Sequence, residues 1–512
     1  MTQPFYITTP IYYVNDKPHI GHAYTTLACD ALARFKRLDG YDVMFLTGTD
    51  EHGQKVQAAA EKAEISPQAF TDQVSQGFRD LTQIMGFSND QFIRTTEARH
   101  YKTSQKLWQK LLDNGHIYEG SYAGWYSVRD EAFYTETELV DGKAPTGAPV
   151  EWVEEPSYFF DLSKWQQPLL DFYAAHPDFV APSSRFNEIK SFVSGGLRDL
   201  SISRTTFSWG VPVPGDEAHV MYVWLDALTN YLTAIGWGED TPAPAYETYW
   251  PANIHMVGKD ILRFHAVYWP AFLMAADLPL PGRVFAHGWW TNEGEKISKS
   301  LGNVIDPVQL VDEFGLDQTR YFLLREVPFG RDGDFARSAM IQRINSDLAN
   351  DIGNLAQRSL SLIVKNLDGV MPDLPAAPND EDIALLGAAR GLLDKQRAAY
   401  DAQAFHEALR DIWEVISAAN RYIDQMAPWG LKKTDPARMA EVLAVLAEVI
   451  RICGVLVQPV MPASAAALLS QLGLGADECG FDSLMNESGP LAGRKIEKPS
   501  GVFPRFIEEE KA

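Results

Sequence analysis

Residues 5–53 follow a strand–helix–strand pattern and read FYITTPIYYVNDKPHIGHAYTTLACDALARFKRLDGYDVMFLTGTDEHG. Residues 5–9 and 43–47 are apolar and β-branched runs of the kind that form buried strands. The segment between them carries an apolar stripe at steps of three and four: Ile20, Ala23, Leu27, Ala31, Phe35 and Leu38. This spacing predicts an amphipathic helix that ends at Gly40. A strand, a helix and a second strand in this order predict a parallel sheet.

The same plan recurs in residues 253–302. The run Ile254-His255-Met256-Val257 predicts a strand, residues from about 260 to 276 have helical spacing, and Val284-Phe285-Ala286 predicts the next strand. Two such halves predict a Rossmann-type α/β fold with a doubly wound parallel sheet. Such sheets bind ligands beyond the carboxyl ends of their strands.

The remaining segments differ in pattern. Residues 115–215 are rich in aromatic residues and in turn signals such as Asp141-Gly142, which predicts an inserted β-rich domain. Residues 337–475 have apolar residues at helical spacing, which predicts a C-terminal all-α helical bundle. The predicted segments are 1–114 and 216–302 for the two halves of the Rossmann domain, 115–215 for the insert, 303–336 for a linking segment, 337–475 for the bundle and 476–512 for a tail with the solvated cluster Glu508-Glu509-Glu510-Lys511.

The composition excludes several classes of protein. A net charge of −23 argues against nonspecific binding to nucleic acid, because phosphates are repelled by carboxylates. No apolar run is long enough to span a bilayer and no basic, cleavable leader begins the chain, so we expect no membrane partner and a cytoplasmic location. The three cysteines, Cys29, Cys453 and Cys479, are too widely spaced for a zinc knuckle, so we expect no structural zinc.

The sequence His19-Ile20-Gly21-His22 stands where the first strand passes into the first helix. Free backbone N–H groups and the positive end of the helix dipole attract anions there, Gly21 permits a close approach, and the imidazoles can donate to phosphate oxygens. Histidines at a helix start are also common as capping or surface residues. The motif alone therefore leaves both interpretations open.

A second motif, Lys296-Ile297-Ser298-Lys299-Ser300, follows the last predicted strand in a loop bounded by Gly294 and Gly302. Two lysines on a mobile loop can fold over a triphosphate and neutralise charge on leaving pyrophosphate. A solvated basic loop is the alternative for this motif alone. The two motifs at equivalent ends of two strand–helix units favour a nucleotide site.

The two motifs resemble the HIGH and KMSKS motifs of class I aminoacyl-tRNA synthetases, and the surrounding residues resemble the methionyl branch of that family. The resemblance extends over nearly the whole chain, in runs that include Pro10-Ile11-Tyr12-Tyr13-Val14-Asn15, Thr47-Gly48-Thr49-Asp50-Glu51-His52-Gly53, Tyr222-Val223-Trp224-Leu225-Asp226-Ala227, Gly258-Lys259-Asp260-Ile261 and Asn354-Leu355-Ala356-Gln357-Arg358. It implies that the protein activates L-methionine with ATP, in the presence of Mg²⁺, to give methionyl adenylate and pyrophosphate. In the implied second step, methionine is transferred to the 3′ end of tRNA(Met) for translation initiation and elongation. Class I membership implies transfer first to the 2′-hydroxyl.

The resemblance also implies roles for individual residues in the ATP site. The implied catalytic residues are His19, His22, Lys296 and Lys299, and the implied ATP-binding residues are His19, Gly21, His22, Asp260, His287, Gly288, Lys296, Ser298 and Lys299. Arg204 is implied to meet the substrate carboxylate or the phosphates, with a surface salt bridge as the alternative. Trp289, beside this set, is expected to be a packing residue.

The implied methionine site consists of Ile11, Tyr13, Asp50, Trp224, Ala227, Tyr231, Ile261 and His265. Asp50, just past the second strand, can bind the ammonium group of an amino acid, although a helix N-cap is its alternative role. Apolar and aromatic groups suit the polarizable sulfur of methionine. For Trp224 and Tyr231, core packing is the alternative.

The resemblance assigns the bundle to anticodon binding, the insert to the connective peptide and residues 303–336 to contact with the tRNA stem. Asn354, Arg358 and Trp429 match residues that read the CAU anticodon in this family. Such side chains stack on unpaired bases and hydrogen-bond to their edges. A routine helix-face charge is the alternative for Arg358, and buried core is the alternative for Trp429.

The chain departs from many relatives in two places. Gly124-Trp125-Tyr126-Ser127-Val128-Arg129-Asp130-Glu131 stands where they carry zinc-binding cysteines and contains none, so it resembles the metal-free subtype. The chain also stops soon after the bundle, without the appended domain through which some relatives dimerise, so we expect a monomer.

Two other functions remain as alternatives. Synthetases for isoleucine, valine or leucine need an editing domain, for which the insert is too short, and a cysteine enzyme is expected to show a zinc-binding thiol. A catalytically silent relative that only binds tRNA or a protein is expected to lose a phosphate-binding motif, whereas both motifs are present here.

Overall fold

The computed structural model describes residues 2–14, 17–130, 132–241, 243–297, 303–485 and 490–508. The strands are β1 (Pro4–Thr8), β2 (Tyr12–Tyr13), β3 (Asp42–Asp50), β4 (Gln91–Arg94), β5 (Ile117–Ser127), β6 (Ala132–Tyr134), β7 (Glu151–Phe160), β8 (Val180–Ala181), β9 (Leu200–Ser201), β10 (Ser203–Arg204), β11 (Pro212–Val213), β12 (Asp216–Met221), β13 (Ile254–Gly258), β14 (Val284–His287), β15 (Trp290–Asn292), β16 (Glu295–Lys296) and β17 (Gly333–Phe335). The α-helices are α1 (Ile20–Leu38), α2 (Gln54–Lys62), α3 (Pro67–Ile84), α4 (Ala98–Asp113), α5 (Gln166–Ala175), α6 (Ser183–Ser194), α7 (Val223–Thr233), α8 (Pro244–Tyr249), α9 (Trp269–Ala275), α10 (Pro307–Phe314), α11 (Leu316–Arg325), α12 (Arg337–Arg343), α13 (Asn354–Asn366), α14 (Asp380–Arg390), α15 (Leu392–Asp401), α16 (Phe405–Met426), α17 (Pro428–Thr434), α18 (Pro436–Val457) and α19 (Pro462–Gln471).

A parallel sheet with the strand order β2-β3-β1-β13-β14-β8 forms the centre of the Rossmann domain, and β4 pairs with β3. Strand β1 lies between β3 of the first half and β13 of the second, with Ile7 opposite Ile254. The carboxyl ends of β1, β3, β13 and β14 therefore reach the same edge of the sheet. The predicted Rossmann-type fold is confirmed.

The apolar stripe of α1 is buried apart from half-buried Leu38, and most of the other residues of this helix are buried as well, so α1 is covered on more faces than the spacing predicts. His19 is the N-cap of this helix, and Gly40, at a φ of 86°, makes the turn that returns the chain to β3. The turn expected between residues 10 and 18 contains an additional short strand, β2, which pairs with the end of β3. This pairing brings Tyr13 opposite Asp50.

The helix expected from about 260 to 276 is interrupted. A 3₁₀ turn covers Lys259–Ile261, a π-helical turn covers Phe264–Tyr268, and α9 follows. Pro270 has no N–H to donate to the Ala266 carbonyl, which instead accepts from the Tyr173 hydroxyl at 2.5 Å. The proline and the π-turn together explain why the helix predicted over about 260–276 is not continuous.

The insert differs from a simple β domain. Strands β6-β5-β7-β9 form an antiparallel sheet, and β10-β12-β11 form a second. The predicted range 115–215 also contains α5, α6 and β8, and β8 joins the central sheet beside β14. These two helices bury Leu169, Tyr173, Ile189 and Val193, which lie at helical spacing. The prediction of strands rested on the aromatic residues of the same stretch and missed this spacing.

Helices α13 to α19 form the predicted C-terminal bundle, with α18 at its centre. The bundle packs directly on the Rossmann domain, because buried residues of α1 and of the bundle belong to the same apolar cluster. The rings of Phe35 and Tyr400 stack across this boundary with centroids 4.0 Å apart. Within the described ranges, none of the helices combines the length and the apolar character needed to cross a membrane.

The C-terminal segment lies against the domain boundary. Phe503 is buried, and the Phe506 backbone N–H donates to the Asn345 side chain at 2.8 Å. Glu508 forms an ion pair with Arg337, so the first residue of the predicted solvated cluster makes a contact. Residues 509–511 of that cluster lie outside the described residues.

Candidate active site

The start of α1 presents two histidine N–H groups. His19 Nδ1 accepts from the Gly21 backbone N–H at 3.1 Å, and His22 Nδ1 accepts from the His19 backbone N–H at 3.1 Å. A neutral imidazole that accepts through Nδ1 carries its proton on Nε2. Both side chains therefore have an Nε2–H donor at the positive end of the helix dipole, and their ring centroids are 3.9 Å apart.

Burial keeps both imidazoles neutral. It lowers the pKa of His22 well below the ordinary value, and the neighbouring His19 lowers it further. Burial also lowers the pKa of His19, against the opposing effect of the Asp260 carboxylate. At neutral pH these residues are hydrogen-bond donors without a full charge. A Cβ on Gly21 would lie 2.9 Å from the His19 ring, so the residue between them has no room for a side chain.

Asp260 lies just past β13, exposed at the carboxyl edge of the sheet. Its charge acts on His19, His265 and His287, which come from both halves of the domain. Trp289 donates its indole N–H to Asp260 at 3.1 Å, and Lys259 lies over the Trp289 ring at 4.1 Å. Trp289 is therefore not a core residue, since 43% of its surface is exposed, and its packing contact is with Lys259 at the surface.

His287 and Gly288 follow β14 next to α1. His287 Nε2 hydrogen-bonds with Thr25 Oγ1 at 2.7 Å, which ties the two halves of the domain together. A Cβ on Gly288 would lie 2.3 Å from the Arg331 carbonyl, so the backbones of these segments touch. Both residues lie at the sheet edge where the sequence predicted the nucleotide.

The lysine loop begins in the β15–β16 hairpin, where Lys296 is opposite Thr291. The side chain of Lys296 and residues 298–302, which include Ser298 and Lys299, lie outside the described residues. The roles of these residues stay predictions.

Several of the predicted methionine residues lie in or against the same apolar cluster. Ile11, Tyr13, Trp224 and Ile261 are half-buried at the margin of a single apolar cluster. Ala227, Tyr231 and His265 are buried. The Tyr231 hydroxyl donates to His265 Nε2 at 2.7 Å, and His265 Nδ1–H donates to the Ile261 carbonyl at 3.0 Å. Burial lowers the pKa of His265 to about 4, so this residue is also neutral.

Phe264 belongs to this region and was not singled out from the sequence. Its ring stacks on Trp224 with centroids 3.7 Å apart and planes 7° from parallel. The signal was present, because Phe264 follows Ile261 by three residues and adjoins His265.

Asp50 ends β3 and is nearly buried. The alternative role as a helix N-cap is wrong, because Gly53 is the N-cap of α2. The pairing of β2 with β3 places Asp50 opposite Tyr13, which is another of the predicted methionine residues.

Arg204 is buried in β10, so the alternative of a surface salt bridge is wrong. Its guanidinium donates to Ser201 Oγ at 2.8 Å and to the Ser203 carbonyl at 2.6 Å, and it lies over the Tyr222 ring at 4.6 Å. These contacts fix the side chain within the sheets of the insert. Its predicted role toward substrate stays a prediction.

The predicted anticodon residues lie together on the bundle. Asn354 is exposed at the start of α13, and Arg358 follows one turn later. Arg358 pairs with Asp424 at 2.6 Å and lies over the Trp429 ring at 5.5 Å. Trp429 is 49% exposed, so the alternative of a buried core residue is wrong.

Ala427, in the left-handed conformation with a φ of 43°, makes the sharp turn between α16 and α17 that presents Trp429. Across the described ranges, His, Cys, Asp and Glu side chains nowhere form a group of three or more that could hold a metal ion.

Comparison with known families covers nearly the whole chain. Residues 5–149 and 146–360 match the family described as class I tRNA synthetases (M), and residues 375–512 match the anticodon-binding domain of methionyl tRNA ligase. The chain belongs to the methionyl-tRNA synthetase family. Of the predicted anticodon residues, Trp429 lies within the segment that matches the anticodon-binding domain. Asn354 and Arg358 lie near the end of the segment that matches the class I synthetase family.

Individual relatives agree with this family. The chain is 58% identical over 509 residues to the methionine–tRNA ligase of Rickettsia conorii, which covers 99% of this chain and 100% of the relative. It is 57% identical over 514 residues to that of Brucella suis biovar 1, covering 99% of each. The methionyl-tRNA synthetase of Mycobacterium tuberculosis in complex with methionyl-adenylate has a TM-score of 0.95 and 53% identity, over 98% of this chain and 100% of that chain.

Proposed function

We propose that the chain is a methionine–tRNA ligase that works in two steps. A carboxylate oxygen of L-methionine attacks the α-phosphorus of ATP, and pyrophosphate leaves with the electrons of the broken P–O bond. A ribose hydroxyl at the 3′ end of tRNA(Met), the 2′-hydroxyl in class I enzymes, then attacks the methionyl carbonyl and loses its proton as AMP leaves. The observation that carries this proposal is the match, over nearly the full chain, to a synthetase that holds methionyl-adenylate.

We assign the phosphates of ATP to the start of α1. The two imidazoles, each with an Nε2–H donor, lie 3.9 Å apart at the positive end of the helix dipole, and Gly21 between them has no side chain to obstruct an anion. Because His19 and His22 are neutral, positive charge for the leaving pyrophosphate comes from Lys296, Lys299 and the Mg²⁺ that enters with ATP. Ser298 adds a hydroxyl donor in the same loop.

We assign the adenosine to the carboxyl edge of the second half. Asp260 is exposed where the sheet ends and can accept from ribose hydroxyls, and the indole N–H of Trp289 fixes its carboxylate. His287 and Gly288 are placed beside it. Arg204 is proposed to meet the methionine carboxylate or the phosphates, with its guanidinium held by Ser201 and Ser203.

We assign methionine to the slot between β3 and α7. Asp50 binds the ammonium through a charge-assisted hydrogen bond. Ile11, Tyr13, Trp224 and Ile261 surround the side chain, and Ala227, Tyr231 and His265 form the buried end. The His265–Tyr231 pair has its hydrogen bonds satisfied within the protein, which leaves an apolar, polarizable surface for sulfur.

We assign the CAU anticodon to Asn354, Arg358 and Trp429 on the bundle. Trp429 offers an exposed stacking face, and Arg358 lies against it with donors for a base edge or a phosphate.

We further propose that the protein acts as a cytoplasmic monomer, since the proposed sites for ATP, methionine and the anticodon all lie within a single chain. We propose the segments predicted from the sequence as the functional divisions of that chain, except that β8 of the insert belongs to the central sheet.

The decisive experiment is ATP–pyrophosphate exchange with each of the standard amino acids and no tRNA. Methionine is expected to drive exchange far better than the others, and purified tRNA(Met) is then expected to be charged. Exchange driven best by isoleucine, leucine, valine or cysteine would overturn the assignment of the amino acid. Absence of exchange with all of them, in folded protein, would indicate the catalytically silent alternative.

A further inference from the structure

Three buried polar residues, His52, Asp226 and His100, form a cluster behind the proposed methionine slot. His52 Nδ1 lies 2.6 Å from Asp226 Oδ2, and His100 Nε2 lies 2.7 Å from Asp226 Oδ1. All three side chains have at most 1% of their surface exposed. We refer to these residues as the His–Asp cluster.

The His–Asp cluster joins the two walls of the slot. His52 follows Asp50 by two residues at the end of β3, and Asp226 follows Trp224 by two residues in α7. On α7, Trp224, Ala227 and Tyr231 recur at steps of three and four and form the slot side. Asp226 lies on another side of the helix, where His100 joins it to Thr233 Oγ1 at 3.0 Å.

A second interaction, between Arg94 and Glu51, ties the segment that follows β3 to the neighbouring strand. Arg94 of β4 donates to both carboxylate oxygens of Glu51, at 2.7 and 2.9 Å. This tie anchors the segment after β3 within the central sheet, but it does not involve α7. The contact between His52 and Asp226 connects the Asp50 segment to the helix that carries Trp224.

We propose that Asp226 is a positioning residue for methionine. Through His52 and His100 it sets the separation between Asp50, which binds the ammonium, and the α7 wall, which binds the side chain. The inference rests on the proposed function and adds to it a residue that does not touch the substrate. A ligand that bridges both walls depends on this separation, whereas a ligand that makes no contact with Asp50 does not.

The substitution Asp226→Asn tests this role with little change in volume. The carboxylate accepts two short bonds from imidazole N–H groups, whereas an amide offers one acceptor and sets its NH₂ against the second donor. Charge-assisted bonds are lost and a buried donor is left unsatisfied, so the two walls are expected to move relative to each other.

The experiment compares two ligands by equilibrium binding: methionine and γ-methylthiobutyrate, which lacks the ammonium group. Asp226→Asn is expected to weaken methionine binding about tenfold or more, a size within the usual range for groups coupled in one network. Binding of γ-methylthiobutyrate is expected to change by no more than about twofold, within the error of additivity. The matched control is Glu448→Gln, which breaks the similarly buried Glu448–Arg451 pair in the bundle and is expected to leave both ligands unaffected.

A second variant guards against a failure to fold. Tyr101→Phe keeps the ring beside His52 but removes the hydroxyl that lies 2.9 Å from His52 Nε2. It is expected to weaken methionine binding by a smaller factor, again with little effect on γ-methylthiobutyrate. If Asp226→Asn does not fold, this variant alone decides the question.

The outcomes separate the inference from the proposed function. If the unaltered protein shows no methionine-dependent exchange, the proposed function fails. If that exchange is present and the folded variants lose both ligands equally, or lose neither, the positioning role is overturned and the His–Asp cluster only stabilises the fold.

Discussion

His265 is buried and neutral between Tyr231 and the Ile261 carbonyl, and this state has a consequence for stability. Burial lowers the pKa of His265 to about 4, whereas the pKa of a histidine in the unfolded chain is about 6.5. The unfolded state therefore binds more protons between these values, and the contribution of His265 to stability is lost as pH falls from about 6.5 toward 4. At pH 5 the loss from this residue is expected to be about 2 kcal/mol.

Urea unfolding at pH 7 and pH 5 measures this loss, with His265→Gln as the comparison. The variant is expected to be less stable at pH 7 but to lose about 2 kcal/mol less than the unaltered protein on acidification. Equal losses in the two proteins would show that folding does not depress the pKa of His265.

Lys299 is predicted to act on the transition state, because its charge meets the pyrophosphate only as negative charge develops there. Lys299→Ala is expected to slow methionyl adenylate formation at least about tenfold while leaving methionine affinity nearly unchanged. Rapid-quench measurement of adenylate and equilibrium binding of methionine check the two parts. A variant that mainly loses methionine affinity would show that the loop has another role.

At the scale of single elements, the break between α16 and α17 presents Trp429 to solvent. Trp429→Ala is expected to remove base stacking of about 1–3 kcal/mol. Charging of tRNA would then fall by about one to two orders of magnitude. Methionine-dependent exchange and the thermal midpoint are expected to change little, because the side chain is half-exposed and distant in sequence from the catalytic motifs.

The control for Trp429 is Ile383→Ala, which removes another exposed apolar side chain, on α14 of the same bundle. It is expected to leave charging intact. A loss of exchange and of thermal stability together with charging in Trp429→Ala would contradict the anticodon role.

The inserted domain is expected to bind no structural zinc. Residues 124–130, in β5 and the turn after it, lack the thiolates that tetrahedral structural zinc usually requires. Elemental analysis of the purified protein is expected to find no stoichiometric zinc. Zinc at about one per chain, lost together with folding on chelation, would refute this prediction.

At the scale of the whole molecule, Arg320 joins three parts of the chain. Its fully buried guanidinium donates to Asp30 of α1 at 2.6 Å, to the Val460 carbonyl of the bundle at 2.7 Å and to the Met85 carbonyl at 3.1 Å. Burial acts to raise the pKa of Asp30, but Arg320 and Arg34 hold it below the ordinary value. Arg320→Met leaves this carboxylate without its main partner and is expected to cost about 3–5 kcal/mol of unfolding free energy.

Urea denaturation of Arg320→Met checks this cost. The control is Arg343→Met, which breaks half-exposed pairs with Glu326 and Asp347 and is expected to cost about 1 kcal/mol or less. Equal effects of the two substitutions would show that the buried joint does not hold the catalytic domain and the bundle together.

Periodicity and short motifs arise from neighbouring residues, and they were sufficient to predict much of this protein. The apolar stripe of α1, the apolar runs of β1 and β3, and the repeat of that plan in residues 253–302 predicted the Rossmann-type sheet. The motif at residues 19–22 predicted an anion site at a helix start. For these features, local spacing identifies the type of element and the apolar residues that it buries.

Other features depend on residues that only folding brings together. His52 and Asp226 are separated by 174 residues, and Asp30 and Arg320 by 290, so no local pattern relates them. The neutral state of His22 and His265 follows from burial by distant elements, and the placement of β8 in the central sheet follows from pairing with β14. Hydrogen bonds, desolvation and strand pairing act over a few ångströms of space, whatever the separation along the chain.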